Sequence, residues 1–333
     1  LQVFSGVLVG LALLVVGYKL SHEKNQSLLS SLLCGGGIAI VYFMTLATYA
    51  LEYYRQALGM TLFVNSLLLI LVAVTSIMFS LWFNKKELVL EAYALSYLNL
   101  LFFGTFTSSM MVYALLVGVS ALIVTHKKEW YSVGSINIGL LFLLFLFWNL
   151  SNTISFEMSA LFLTASFTLG LIHIYRCVPK VSYSALVWQY VIIGFLYFVF
   201  MFMKISEVFG NYTELFCAVL GITYFLLAML FYKKSSTGDN LLTDASMYSS
   251  LGFLTLSLAL FVDAKILTFF FLIEFIILTK LSVKSEKVYF LVTSVILSII
   301  ILFRLIVFDL LSTTHILNGS VKLNIFLFIA SAI

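Results

Sequence analysis

The sequence predicts an all-α fold, a polytopic integral membrane helical bundle of about 13 transmembrane helices. Three observations lead there. Hydrophobic residues are 63% of the chain and charged residues 10%. Soluble domains are about half apolar and about a quarter charged, so lipid must cover much of this surface. The apolar residues form runs of about 20 between short polar gaps, the length that crosses the hydrocarbon of a bilayer. The charges are also lopsided: of 18 Lys and Arg, 13 lie in alternate gaps. Those gaps hold Lys19 and Lys24, Lys85 and Lys86, Lys127 and Lys128, Arg176 and Lys180, Lys233 and Lys234, and Lys280, Lys284 and Lys287. A chain threading a bilayer retains its basic residues on the cytoplasmic side. The gaps near 19–28, 84–87, 126–130, 176–183, 233–246 and 280–287 are therefore expected in the cytoplasm, and Leu1 outside, in a cell membrane.

The predicted spans are 2–20, 29–52, 58–83, 88–104, 108–125, 131–150, 158–175, 184–203, 213–232, 247–262, 266–283, 288–308 and 321–333. Each must be helical, because unpaired backbone is not tolerated in hydrocarbon. The single proline, Pro179, falls in a basic gap, which leaves the spans unkinked. The first span carries Gly6, Gly10 and Gly17 on one face, and the second carries Gly35, Gly36 and Gly37. Missing side chains let helix backbones approach in lipid, so these glycines are read as packing positions. No strand precedes them, which argues against a nucleotide-binding loop. Glu52-Tyr53-Tyr54-Arg55 and Trp148-Asn149 close spans with interfacial aromatic residues. Asn65, Glu91, Asn99 and Asn137 lie within or near spans, where hydrogen bonding between helices is their default role.

Glu274 stands in the eleventh span and Arg304 in the twelfth. A carboxylate in hydrocarbon is costly unless paired or wet. The matched depth of the two residues on consecutive helices predicts an intramembrane ion pair. Its plain role is a pin between helices; its functional role is a polar element in a proton, ion or substrate path.

The longest gap, 233–246, is the candidate connector between a first bundle (1–232) and a second segment (247–333), although one continuous membrane domain fits equally well. The chain opens and closes inside apolar runs, which reads as a segment of a longer protein. Sequons at Asn149, Asn211 and Asn318 fall in predicted outer gaps and are possible glycosylation sites, while Asn25 falls inside. Cys34, Cys177 and Cys217 are scattered, with no CxxC, and read as small buried or loop residues rather than metal ligands or disulfides. No metal site and no cofactor are expected. Only His173 lies within a predicted span, so a haem held by two facing histidines is excluded. No HExxH, GxSxG or GxxxxGK[ST] occurs. Nothing in the basic balance points to nucleic acid; the basic gaps suit anionic lipid headgroups.

From Val3 to Asn149 the order of features resembles the family known as domain of unknown function 2339. A glycine-bearing span (Gly6 to Gly17) precedes a glycine-rich one, Cys34-Gly-Gly-Gly37 through Tyr42 and Ala47-Thr48-Tyr49. Phe103-Gly104-Thr105-Phe106-Thr107-Ser108 resembles the family's Gly-Gly-Phe-Leu-Thr-Pro turn, with Phe103 and Ser108 as departures. A Tyr-bearing span from Tyr113 ends at Lys128-Glu129-Trp130. The resemblance implies a many-helix membrane protein longer than this chain, and no particular reaction.

Short loops and the lack of a catalytic constellation favour a non-enzymatic scaffold or subunit of a cell-envelope assembly. Its expected partners are membrane lipids and other membrane proteins or further copies of itself. A transporter or channel-like protein for a small or lipid-linked solute is the alternative, with Glu274 and Arg304 as its polar elements. A membrane glycosyl transferase or polymerase is the third, disfavoured by short outer loops without paired carboxylates.

Overall fold

The computed structural model describes residues 2–21, 27–102, 108–151, 154–178, 183–234 and 241–261, with scattered helical positions between 273 and 299. The described residues form helices and turns, without strand. In chain order the helices are α1 (Gln2–Leu20), α2 (Ser27–Ala50), α3 (Glu52–Ala57), α4 (Leu62–Phe83), α5 (Lys86–Phe102), α6 (Ser108–Lys128), α7 (Tyr131–Ser151), α8 (Phe156–Cys177), α9 (Tyr183–Val208), α10 (Thr213–Lys234) and α11 (Leu241–Phe261).

Local chemistry sets their ends. Thr61 caps α4 by accepting from the Val64 N–H, and Ser155 caps α8 by accepting from the Met158 N–H. Hydroxyl caps of this kind satisfy donors that the first turn leaves free. Asn84 closes α4 in the left-handed region at φ 55°, a conformation asparagine tolerates better than most residues. Acidic residues open α8 and α10 (Glu157, Glu214), and basic ones close α6 and α10 (Lys127 and Lys128, Lys233 and Lys234). Both placements complement the helix dipole.

Among the described residues seven helices are long and apolar enough to cross a membrane: α1, α2, α6, α7, α8, α9 and α10. The α5 helix has 17 residues, below the roughly 20 a span needs. The sequence expectation of about 13 spans is therefore not reached among the described residues, and 266–283, 288–308 and 321–333 lie outside or almost wholly outside them. The spans expected at 2–20 through 247–262 each overlap a helix, with ends that differ by up to six residues, as where α11 begins at Leu241. The added elements are the 3-10 turn Gly210–Tyr212 and α3, a single exposed turn and a half closed by Gly59 at φ +60°. Its Glu52 and Arg55 side chains pair at 3.7 Å.

The chain divides into two compact units, 1–204 and 205–333. In the first, α1 lies along α2, and α2 packs on α4 and α5. Cys34, Ile38, Tyr42, Leu46, Leu69, Leu88 and Leu95 form the core there. The α5, α6, α7 and α8 helices continue the unit. The Lys128 ammonium donates to Asn84 Oδ1 at 3.1 Å, and Tyr18 stacks on Trp82 with centroids 5.1 Å apart. The C-terminal ends of α1, α4 and α6 thus share one end of the unit. In the second unit α10 and α11 pair closely, Gly221 lying against Leu254 and Ser257 donating to the Glu214 carbonyl at 2.7 Å. Of the gap expected at 233–246, residues 233–234 belong to α10 and 241–246 to α11.

Candidate functional site: a buried polar centre

The α6, α7, α8 and α9 helices bring seven chemistry-bearing side chains together. His173 of α8 is fully buried. It fits against Gly134 of α7, where a Cβ would lie 2.5 Å from the imidazole Cε1. Its Nε2 is 3.3 Å from Ser135 Oγ, and that hydroxyl donates to Gln189 Oε1 of α9 at 2.9 Å. Cys177, one turn further along α8, puts its buried thiol 3.7 Å from His173 Nδ1. The His126 ring of α6 stands 5.6 Å from that of His173 and 6.5 Å from Tyr131. Thr125 Oγ1, Tyr131 OH and Gln189 Nε2 are shut off from solvent and make no hydrogen bond among the described residues. Polar groups concentrated in this way are costly to bury, and structures keep them for helix fixation or for function. No group of three or more metal-binding side chains occurs among the described residues.

His126 lies in a helix rather than in the polar gap expected at 126–130. The α6 helix continues through Thr125 to Lys128, because cations in a last turn are favourable. His126 therefore faces His173 inside the bundle, and the expectation that His173 is the one intramembrane histidine, used against a haem held by two histidines, does not hold. Ser135 and Gln189 carry no signal in the sequence, while Cys177, named there only for its burial, is buried. The only available signal was the His173–Cys177 spacing of four, which puts both on one helix face.

A second polar network ties α5, α6 and α7. Tyr97 OH donates to Asn137 Oδ1 at 2.7 Å, and Asn137 Nδ2 reaches the Gly118 carbonyl at 3.5 Å. Ser120 Oγ donates to Tyr93 OH at 3.3 Å. Between α2 and α4, Thr48 donates to Asn65 Oδ1 at 3.2 Å. Tyr97→Phe should cost about 1–2 kcal/mol by leaving Asn137 Oδ1 unpaired. A thermal-stability comparison in detergent checks this, with exposed Tyr53→Phe as the neutral control.

Glu91 of α5 sets its carboxylate over Gly35 of α2. It is half-buried and makes no hydrogen bond or ion pair among the described residues. The glycines on α1 meet α2 closely: Gly6 faces Met44, Gly10 faces Val41 and the Gly37 carbonyl, and Gly17 faces Cys34 and Ser30. Gly37 faces the Gly10 carbonyl and Leu14, while Gly36 has nothing within 4 Å. Neighbouring residues on a helix differ by about 100° in direction, so three consecutive glycines cannot share one partner. Asn149 is half-buried near the end of α7, and Asn211 lies in the single 3-10 turn Gly210–Tyr212. Glu274, Arg304 and Asn318 lie outside the described residues.

These features define a multi-pass, all-helical membrane protein. The whole chain, residues 1–331, matches the family described as Predicted membrane protein (DUF2339), and the chain belongs to that family. No curated protein and no solved structure matches it. The resemblance read between Val3 and Asn149 thus extends along the full length.

Proposed function

We propose that the protein is a non-enzymatic scaffold or subunit of a larger cell-envelope membrane assembly. The observation that supports this best is how the bundle uses its buried polar groups. Tyr97 and Asn137 join α5 to α7, Thr48 and Asn65 join α2 to α4, and His173, Ser135 and Gln189 join α8, α7 and α9. Groups committed to neighbouring helices favour one fixed arrangement over the rocking that alternating access requires. The remaining six or so of the expected 13 spans, the cytoplasmic side of the basic gaps and the cell membrane as location belong to the same proposal.

Extraction into nanodiscs followed by mass spectrometry tests it. A stoichiometric set of other membrane proteins supports the scaffold. A lone protein that moves a solute in proteoliposomes defeats it.

Transport is the second reading, favoured by Glu91, an unpartnered carboxylate against Gly35 within an apolar bundle. Glu91→Gln and Glu274→Gln would then abolish flux while the folded yield holds. Under the scaffold reading they change yield or assembly alone.

A further inference from the structure

An apolar groove of about 740 Å³ runs between α6 and α8. Leu115 and Val119 form one wall, and Ala160, Thr164 and Leu169 form the other. The volume is that of a small-molecule site. The two threonines on the α8 wall leave little polarity there. Thr168 Oγ1 donates to the Thr164 carbonyl at 2.7 Å, and Thr164 Oγ1 is 3.3 Å from Tyr197 OH. Among the described residues that line it, the one charged side chain is Glu157, in the first turn of α8. It makes no ion pair or hydrogen bond among the described residues.

Glu157 and Leu169 are twelve residues apart, about 18 Å along a helix. One leaflet of hydrocarbon is about 15 Å deep, half of about 30 Å. The groove therefore runs from headgroup level to the bilayer midplane. An apolar slot of one-leaflet depth, closed at the headgroup end by a single unmatched carboxylate, matches one lipid chemistry. We infer that it holds an acyl chain of a phospholipid whose primary ammonium headgroup, as in phosphatidylethanolamine, meets Glu157. An ammonium N–H donates a charge-assisted hydrogen bond to a carboxylate. A choline headgroup has no N–H to give, and a glycerol headgroup brings no positive charge.

The test uses the whole protein, exchanged in detergent into equimolar phosphatidylethanolamine, phosphatidylcholine and phosphatidylglycerol with identical acyl chains. Native mass spectrometry then counts the lipids retained. The expected result is one retained lipid per chain, with the ethanolamine form favoured about three- to fivefold, the range of a surface ion pair. Glu157→Gln should abolish the preference and keep the lipid. Ala160→Leu should fill the groove and lose the lipid. If Ala160→Leu does not fold, Thr168→Leu, further along the same wall, takes its place with the same expectation. Equal retention of the three lipids by the wild type overturns the inference. So does a preference that survives Glu157→Gln, or a dimer that carries no lipid and seats a helix of the second copy in the groove.

Discussion

Gly37→Leu is expected to separate α1 from α2, while Gly36→Leu leaves the protein folded. A Cβ at Gly37 would lie 2.7 Å from the Gly10 carbonyl oxygen and 2.9 Å from Leu14 Cγ. The first of these is backbone, and it cannot swing aside as the end of a flexible side chain can. Gly10 in turn sits against the Gly37 carbonyl, with a Cβ contact of 3.0 Å, so neither helix has room to retreat. Forcing a larger group into a well-packed interface costs about 1–3 kcal/mol. Here the helices must also move apart and give up the close backbone contact that associates them in lipid. A loss toward the upper end of that range follows. Gly36 has nothing within 4 Å, and leucine is the better helix former by somewhat under about 1 kcal/mol. Gly36→Leu should therefore be neutral or mildly stabilising. Gly35→Ala falls between them, because its neighbour is the end of the flexible Glu91 side chain. Thermal midpoints by fluorescence-detected size exclusion give the order. Equal losses at positions 36 and 37 would refute the seam.

The contrast between these two glycines shows what the sequence discloses and what it withholds. Apolar run length fixes where helices lie, and the α1 to α11 boundaries follow it closely, because a membrane leaves a 20-residue apolar run little choice but helix. The α1–α2 pairing is legible too, since Gly6, Gly10 and Gly17 recur on one face. Which glycine of the run 35–37 meets a partner depends on the rotation of α2, and composition carries no information about rotation. The buried polar centre was hidden for a related reason. His126 and His173 are 47 residues apart in sequence, and their approach depends on how α6 and α8 pack. Lysines at 127 and 128 made the span seem to stop at 125, whereas a helix tolerates cations in its last turn. Glu91 was visible as an intramembrane acid, but its seat over Gly35 was not. The short α3 was absorbed into the flanks of two spans, because Tyr53 and Tyr54 read equally well as an interfacial belt.

His173→Ala should destabilise the bundle by about 3 kcal/mol, and Gly134→Ala should partly repair the loss. The wild-type imidazole occupies the space that a side chain at position 134 would take, its Cε1 lying 2.5 Å from the ideal Cβ site. Gly134→Ala alone therefore clashes, and costs stability, because the ring is held between Ser135, Cys177 and His126. His173→Ala alone leaves a void of imidazole size and removes a partner from the Ser135 hydroxyl, a cavity term plus a hydrogen-bond term. In the double variant the alanine methyl at 134 enters the vacated space, so the clash disappears and part of the void is filled. Contacting residues of this kind couple by about 0.5–3 kcal/mol, and the sign here must be favourable. Reversible unfolding of the four proteins, under one detergent condition, measures the coupling; additive losses would show that the two positions do not touch. The same double variant separates the functional readings. It restores packing without restoring the imidazole, so a scaffold recovers its assembly in step with its stability. A transporter that uses His173 would regain its fold and stay inactive.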